Sequence, residues 1–474
     1  MDAAEFRAAG HELIDLIVDY LEGIDARPVL PDLQPGDVRA QLPEHPPAAP
    51  ESWEAVRTDV ERVILPATVG WQHPAWFAYF PANVSYPSIL AELLAAGLGQ
   101  QGMSWVTSPA CTEVETLMLD WMHELLDLPA AWRSASATGG GVIQGSASEA
   151  VLVAILAARW RATGGAVNAT GDTSRLTAYL SAHTHSSVEK GLRIAGIGAD
   201  RIRTVAHDPT TFAIDPDAFA TAVAADVDAG FRPTFACATH GTTSSLAFDP
   251  TDRLASICGE HGVWLHVDAA MSGIAALAPE YRWVNAGLAG AHSYATNPHK
   301  WMGVNFDCSL FWTADRAALL GALSILPEYL RSRAAGSGQA IDYRDWQVPL
   351  GRRFRALKLW FTLRLEGVDA IAQRLRADVA DARWLADRAA ADARFELAAP
   401  VTLNLVCLRL AEGAGGGPAT DTLIEAVNAT GRANVTRTVL DGRSVMRVSV
   451  GARATERRHV EEFWELVDSL VERQ

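Results

Sequence analysis

In the middle of the chain, short runs of apolar and β-branched residues alternate with longer stretches of helical period. LTAYLSA, RIRTVAH, TFACAT, VWLHVDAA, HSYAT and CSLFW have the length and composition of strands. VLVAILAARWRA and PTDRLASICGEHG read as helices between or before them. This alternation predicts an α/β fold, a mostly parallel sheet covered by helices. From about residue 361 the texture changes. VDAIAQRLRADVADARWLADRAAAD is a long helical segment, followed by strand, helix, strand and helix. That order predicts a smaller α+β lobe.

The start of the chain is different again. EFRAAGHELIDLIVDYLEGI places Leu13, Ile14, Ile17, Val18 and Leu21 on one helical face. The next stretch, RPVLPDLQPGDVRAQLPEHPPAAP, is too rich in proline for regular helix or central strand. The first helix is therefore expected to stand off from the body and bury its stripe on another lobe or a second subunit. The expected division is an N-terminal helical segment (1–84), a large α/β domain (85–360) and a small C-terminal α+β domain (361–474).

Composition narrows the partners. The 474 residues carry 40 Lys and Arg against 56 Asp and Glu, a net charge of −16, which repels phosphate backbones and argues against nucleic acid. No apolar run reaches the length of a membrane span. The N-terminus MDAAEFRAAG lacks a basic region followed by an apolar run, so no signal peptide is expected. Five scattered cysteines without a CxxC spacing fit a reducing compartment, and the expected location is the cytoplasm.

In open α/β sheets, ligands sit beyond the carboxyl ends of the strands. Those ends are polar here: HTHSSVEKG follows LTAYLSA, HGTTSS follows TFACAT, DAAMSG follows VWLHV, and NPHKW follows HSYAT. TGGGVIQGSASEA precedes a helix, where free backbone N–H groups favour phosphate. It lacks the G-K-[ST] of a P-loop and the spacing of a dinucleotide fingerprint, and it also reads as a glycine-rich turn with Ser148 near the helix start. Asp268 closes an apolar strand. There it is either a hydrogen-bonded structural carboxylate or the partner of a cationic aromatic nitrogen. Lys300 lies at an apolar strand end, 32 residues later, a distance that permits one crossover between neighbouring strands. It either snorkels to water or loses its proton by desolvation and forms a Schiff base with a carbonyl. His183 and His185 form an HxH pair, with His266 and His299 near other candidates. Without HExxH or a cysteine pair, no metal site is expected.

Together these residues resemble the group II pyridoxal-phosphate decarboxylases, most closely those acting on aromatic L-amino acids. The resemblance runs through EFRAAGHELIDLIVDYLEGI, FAYFPANVSYPSIL, SPACTEVETLMLDWM, GGGVIQGSASEA, HSSVEK, HVDAA, NPHKWMGVNFDCS and IDYRDWQVPLGRRFRALKLWF. It implies the fold-type I architecture of pyridoxal-phosphate enzymes, a homodimer, and pyridoxal 5'-phosphate as cofactor. It implies that Lys300 binds the cofactor, that Asp268 pairs with its ring nitrogen and that His185 stacks on its ring. Ala147, Ser148, Asn297 and His299 would hold the phosphate, and Thr243 and Ala270 would line the ring. Trp71, Tyr79, Phe80, Ala82, Met103 and Gly351 would face the substrate. Tyr329 would protonate the substrate carbon; relatives with phenylalanine there release an aldehyde instead. Ala82 stands where a threonine hydroxyl often meets a substrate ring, and Gly351 matches relatives that admit an indole. The resemblance thus implies decarboxylation of an aromatic amino acid. An aldehyde synthase on the same scaffold, a non-catalytic cofactor-binding scaffold and a nucleotide-binding module are the alternatives.

Overall fold

The computed structural model describes residues 1–325 and 340–473. Tyr329 lies outside the described residues. Seven strands form the main sheet: β1 (Gly140–Gln144), β2 (Leu176–Ser181), β3 (Ile202–Val205), β4 (Arg232–Thr239), β5 (Trp264–Asp268), β6 (Ser293–Thr296) and β7 (Ser309–Thr313). Their spatial order is β1-β7-β6-β5-β4-β2-β3. The pairs from β3 through β6 are parallel, and β7 runs antiparallel to both β6 and β1. Every residue of β5, β6 and β7 is buried, as expected for strands covered on both faces. The α/β expectation and all six sequence-read strands therefore hold.

One strand was not legible. The glycine run that reads as a turn is edge strand β1. A Cβ on Gly141 would stand 2.7 Å from the Trp312 indole, and one on Gly140 2.7 Å from the Trp346 indole. Both rings are buried. The glycines let this backbone press directly on two tryptophans. The helix Ala147–Ala162 then crosses the sheet. Its Ala150, Ala154, Ala157 and Ala158 are buried, and such small side chains allow close approach.

The second sheet is antiparallel, in the order β10-β11-β9-β8, from β8 (Phe395–Leu397), β9 (Leu405–Leu410), β10 (Thr436–Leu440) and β11 (Arg443–Ser449). Helices Val368–Ala390, Gly416–Ala429 and Arg457–Val471 pack with it. Its core includes Leu385, Val406 and Phe463, together with Phe77 from the N-terminal segment. Phe77 N donates to Asn434 O (2.9 Å), and Ser449 N donates to Phe77 O (2.9 Å), so this segment is stitched onto the small sheet.

The helix Ala3–Glu22 is closed by a capping box between Asp2 and Glu5. It buries only Ala9; Leu13, Ile14 and Val18 stay 38–40% exposed, so it does stand off from the body. Helix Tyr86–Leu98 also leaves Leu90, Leu93, Leu94 and Leu98 exposed, at positions that share one face. Among the described residues no helix is long and apolar enough to cross a membrane.

Glu115, on helix Pro109–Leu125, ties β1 to the chain near residue 352. It accepts from Ile143 N (2.8 Å) and pairs with Arg352, and both side chains are buried. Removing one partner of a buried pair leaves an uncompensated charge, at a cost of about 3–5 kcal/mol. Glu115→Ala should lower the thermal unfolding midpoint clearly. Glu115→Leu combined with Arg352→Met should recover part of that loss. A double variant as unstable as the single one would mean that the Ile143 hydrogen bond carries the effect.

Candidate active site

The site grows from two neighbouring strands. In the sheet register Asp268 lies between Thr239 of β4 and Ala295 of β6. Beyond β6 the chain passes Asn297 and enters a short helical turn, Pro298–Trp301, which carries His299 and Lys300. The turn is pinned from three sides. Asn297 N donates to Ala270 O (3.0 Å), Lys300 N to Asn297 O (3.0 Å), and Asn83 Nδ2 to Lys300 O (2.9 Å).

Lys300 is half-buried, and its ammonium lies 5.2 Å from the centre of the Phe80 ring. Among the described residues it makes no ion pair. Desolvation pulls its pKa below the ordinary lysine value; Asp268 opposes this and Arg447 adds to it. Asp268 is buried, and its Oδ1 accepts the Ala270 N–H (3.0 Å). Among the described residues no hydrogen bond reaches its other oxygen.

Two groups of donors lie nearby in the fold. The first N–H groups of helix Ala147–Ala162, at Ala147 and Ser148, have no acceptor within the helix. Asn297 Oδ1 accepts from Ser309 Oγ (2.7 Å). His299 Nδ1 accepts from Cys308 N (2.9 Å), which places the ring proton on Nε2. Burial first, and Lys300 next, push His299 down to about 3, so it is a neutral donor. His266 is used differently: its Nδ1 bonds Ser293 Oγ (2.8 Å), and burial holds it neutral at about 4.

The remaining sequence-read residues divide into those that meet and those that do not. Tyr79, Phe80 and Thr243 meet at Arg447. The guanidinium of Arg447 lies 4.3 Å from the Phe80 ring centre and donates to the backbone oxygens of Tyr79 and Thr243. Trp71 stacks on Tyr79 at 5.8 Å, and both rings are exposed in the single chain. Ala82 O accepts from Gln72 Nε2 (2.6 Å). His185 caps helix Ser186–Ile194, its Nδ1 bonded to Ser187, with its ring exposed. Met103 and Gly351 gather around Gln101. Its Oε1 accepts from Met103 N (2.8 Å), and its Nε2 lies 3.9 Å from where a Gly351 Cβ would stand. Among the described residues no hydrogen bond or ring contact joins Met103, Gly351 or His185 to Lys300.

Sequence reasoning missed Arg447 and Asn83. Arg447 is buried in β11, its Nη2 lacks a partner among the described residues, and desolvation pushes it down to about 10. A charged residue inside the apolar run of SVMRVSV was a usable signal. Asn83, bonded to both Lys300 O and Gly451 O (2.8 Å), left none.

Known proteins resemble the whole chain in sequence and in fold. Residues 35–411 match the pyridoxal-dependent decarboxylase conserved domain. The chain is 43% identical to aromatic-L-amino-acid decarboxylase of Bos taurus, covering 99% of this chain and 97% of that protein. It is also 43% identical to phenylacetaldehyde synthase of Arabidopsis thaliana, covering 98% and 96%. The crystal structure of Oryza sativa TDC with PLP and tryptamine superposes with a TM-score of 0.96 at 37% identity, covering 100% of this chain and 99% of that one. With a desolvated lysine and a buried aspartate at adjacent strand ends of this sheet, the chain belongs to the pyridoxal-dependent decarboxylase family.

Proposed function

We propose that this protein uses pyridoxal 5'-phosphate to remove carbon dioxide from aromatic L-amino acids, releasing the arylethylamine. The observation that carries this reading is Lys300, desolvated beside Asp268 at the ends of β5 and β6. The residues fit the cofactor. Lys300 would hold its carbonyl carbon. The N–H groups at Ala147 and Ser148, with Asn297 and the neutral Nε2–H of His299, suit a phosphate. The unbonded oxygen of Asp268 suits a protonated ring nitrogen, His185 would stack on the ring, and Thr243 and Ala270 would line it. When bound, pyridoxal phosphate supplies an electron sink for the pair left behind by departing carbon dioxide.

The chain's own groups have separate tasks. Because the Lys300 shift is downward, its neutral amine is present at lower pH than that of an exposed lysine. Arg447 contributes to that shift and supports Phe80 beneath the ammonium. Trp71, Tyr79, Phe80, Ala82, Met103 and Gly351 would surround the substrate ring. Ala82 offers no hydroxyl, and burying a ring hydroxyl without a partner costs about 1–3 kcal/mol. We therefore place indole and unsubstituted rings at least level with catechols. Tyr329 would deliver the proton to the substrate α-carbon. The likeness to phenylacetaldehyde synthase keeps an aldehyde-forming reading in play, and Tyr329 favours amine.

The two uncovered apolar stripes support a homodimer, in which helix Tyr86–Leu98 and the N-terminal helix lie on a second copy. Five buried free cysteines suit the reducing cytoplasm.

Covalent attachment is tested by borohydride reduction of holoprotein and peptide mapping. The chain has three lysines, and the pyridoxyl group is expected on Lys300. Label on exposed Lys190, or on Lys358, which pairs with Glu92 at 2.9 Å, would overturn the assignment.

The reaction is tested by offering each aromatic amino acid and measuring amine, carbon dioxide and aldehyde. Wild-type protein should release amine. Tyr329→Phe should lower the amine rate by about a hundred- to ten-thousand-fold, the usual loss of a general acid, with aldehyde appearing at the expense of dissolved oxygen and accompanied by ammonia and hydrogen peroxide. An unchanged amine rate would assign protonation to another group, and no product from any substrate would favour a non-catalytic scaffold. A kcat/KM for L-DOPA more than about tenfold above tryptophan, about 1.4 kcal/mol, would overturn the reading of Ala82.

Association is tested by sedimentation. Wild-type protein should run as a dimer, and Leu93→Glu with Leu94→Glu should release inactive monomer. A fully active wild-type monomer would refute the shared interface.

A further inference from the structure

The HxH pair of the sequence does not act as a pair. His183 turns toward residues remote in the chain. β2 and β3 are parallel neighbours, with Ser181 opposite Val205. His183 and His207 each lie two residues beyond that matched pair, so the sheet register carries them side by side. Their rings stand 4.5 Å apart, edge to face. The third member comes from the small sheet. Asp441 occupies the tight turn between β10 and β11, with φ of 47°, and its Oδ1 lies 3.0 Å from His207 Nε2. One ligand atom from each of the three residues falls within 4.8 Å of the others.

Two further observations separate this cluster from an ordinary hydrogen bond. His183 Nε2 is buried and has no partner among the described residues. A buried unpaired imidazole nitrogen is costly, and a bound cation would satisfy it. The backbone on each side is also built. His183 N bonds Ser181 Oγ (3.1 Å), Ser181 N bonds Thr184 Oγ1 (3.0 Å), and His207 bridges Ile214 in a short antiparallel contact. These hold the two imidazoles in place without using their rings.

We propose that His183, His207 and Asp441 form a site for a divalent transition metal of the zinc class, completed by water. Two imidazoles, one carboxylate and an open fourth position are a donor set that zinc accepts. The metal would replace the proton shared by His207 and Asp441. It would also tie the turn of the small sheet to the loop that leads into His185. None of the three residues is among those assigned to the cofactor, and the sequence alone offered no reason to expect a metal here.

The test uses holoprotein stripped with a chelator, dialysed free of excess cofactor, and titrated with Zn2+ alone in a calorimeter. One ion per chain is expected. His183→Gln and Asp441→Asn should each weaken binding by about tenfold or more, since even outer-shell partners of metal ligands cost that much. Asparagine tolerates the left-handed backbone at 441, so the turn should survive. Retention of the cofactor absorbance would report an intact fold in both variants. Co2+ should give the visible bands of a tetrahedral site in wild-type protein and lose them in both variants. No saturable Zn2+ binding, or binding equally tight in both variants, would overturn the proposal.

Discussion

A lysine amine taken out of water gives up its proton more readily, and much of the site is arranged around that cost at Lys300. The turn after β6 cannot relax toward solvent, because Asn83, Asn297 and Ala270 hold its backbone. Phe80 occupies the space beside the ammonium, and Arg447 packs on the same ring. Asp268 pulls the shift back, and it arrives from the adjacent parallel strand. Parallel pairing therefore does chemical service: it delivers two side chains from distant sequence to one end of the sheet.

The small lobe and the N-terminal segment are part of that arrangement. Residues 77–83 run from the core of the small sheet, through the Phe80 ring, to Asn83 under the lysine. Arg447 reaches the same ring from β11. A change in how the small lobe sits would thus reach Lys300 through packing and charge, with no covalent link needed. The Asp441 turn belongs to the same small sheet and meets the loop after β3, so the lobe touches the strand-end loops at two places.

Burial also sorts the histidines. His240, His266 and His299 are all pushed down, to about 4, 4 and 3, first of all by desolvation. In the sequence, His266 and His299 lie near other candidate residues and His240 opens the polar stretch HGTTSS. In the fold, His240 bonds Thr251 Oγ1 and His266 bonds Ser293 Oγ, whereas His299 has its Nδ1 occupied by the Cys308 N–H and its other nitrogen set as donor. Residue type alone could not separate them, because their hydrogen-bond partners lie 9 to 27 residues away, and the Cys308 N–H, which can only donate, fixes the tautomer of His299.

The sequence by itself determined the alternation of strand and helix, the polar strand ends and the motifs around Ser148, His185, Asp268 and Lys300. These are local properties, set by side-chain period and by what must follow an apolar strand. It also determined that the first helix carries an apolar stripe its proline-rich neighbour cannot cover. Tertiary structure decided the rest. It made the glycine run an edge strand, pressed so closely on the Trp312 and Trp346 rings that side chains at 140 and 141 have no room. It placed Arg447 and Asn83 at the lysine, and it separated His183 from His185 to join His207 and Asp441. The physical reason is common to all three. Desolvation, close packing and ligand geometry depend on atoms brought together through space, and no window of sequence contains both partners.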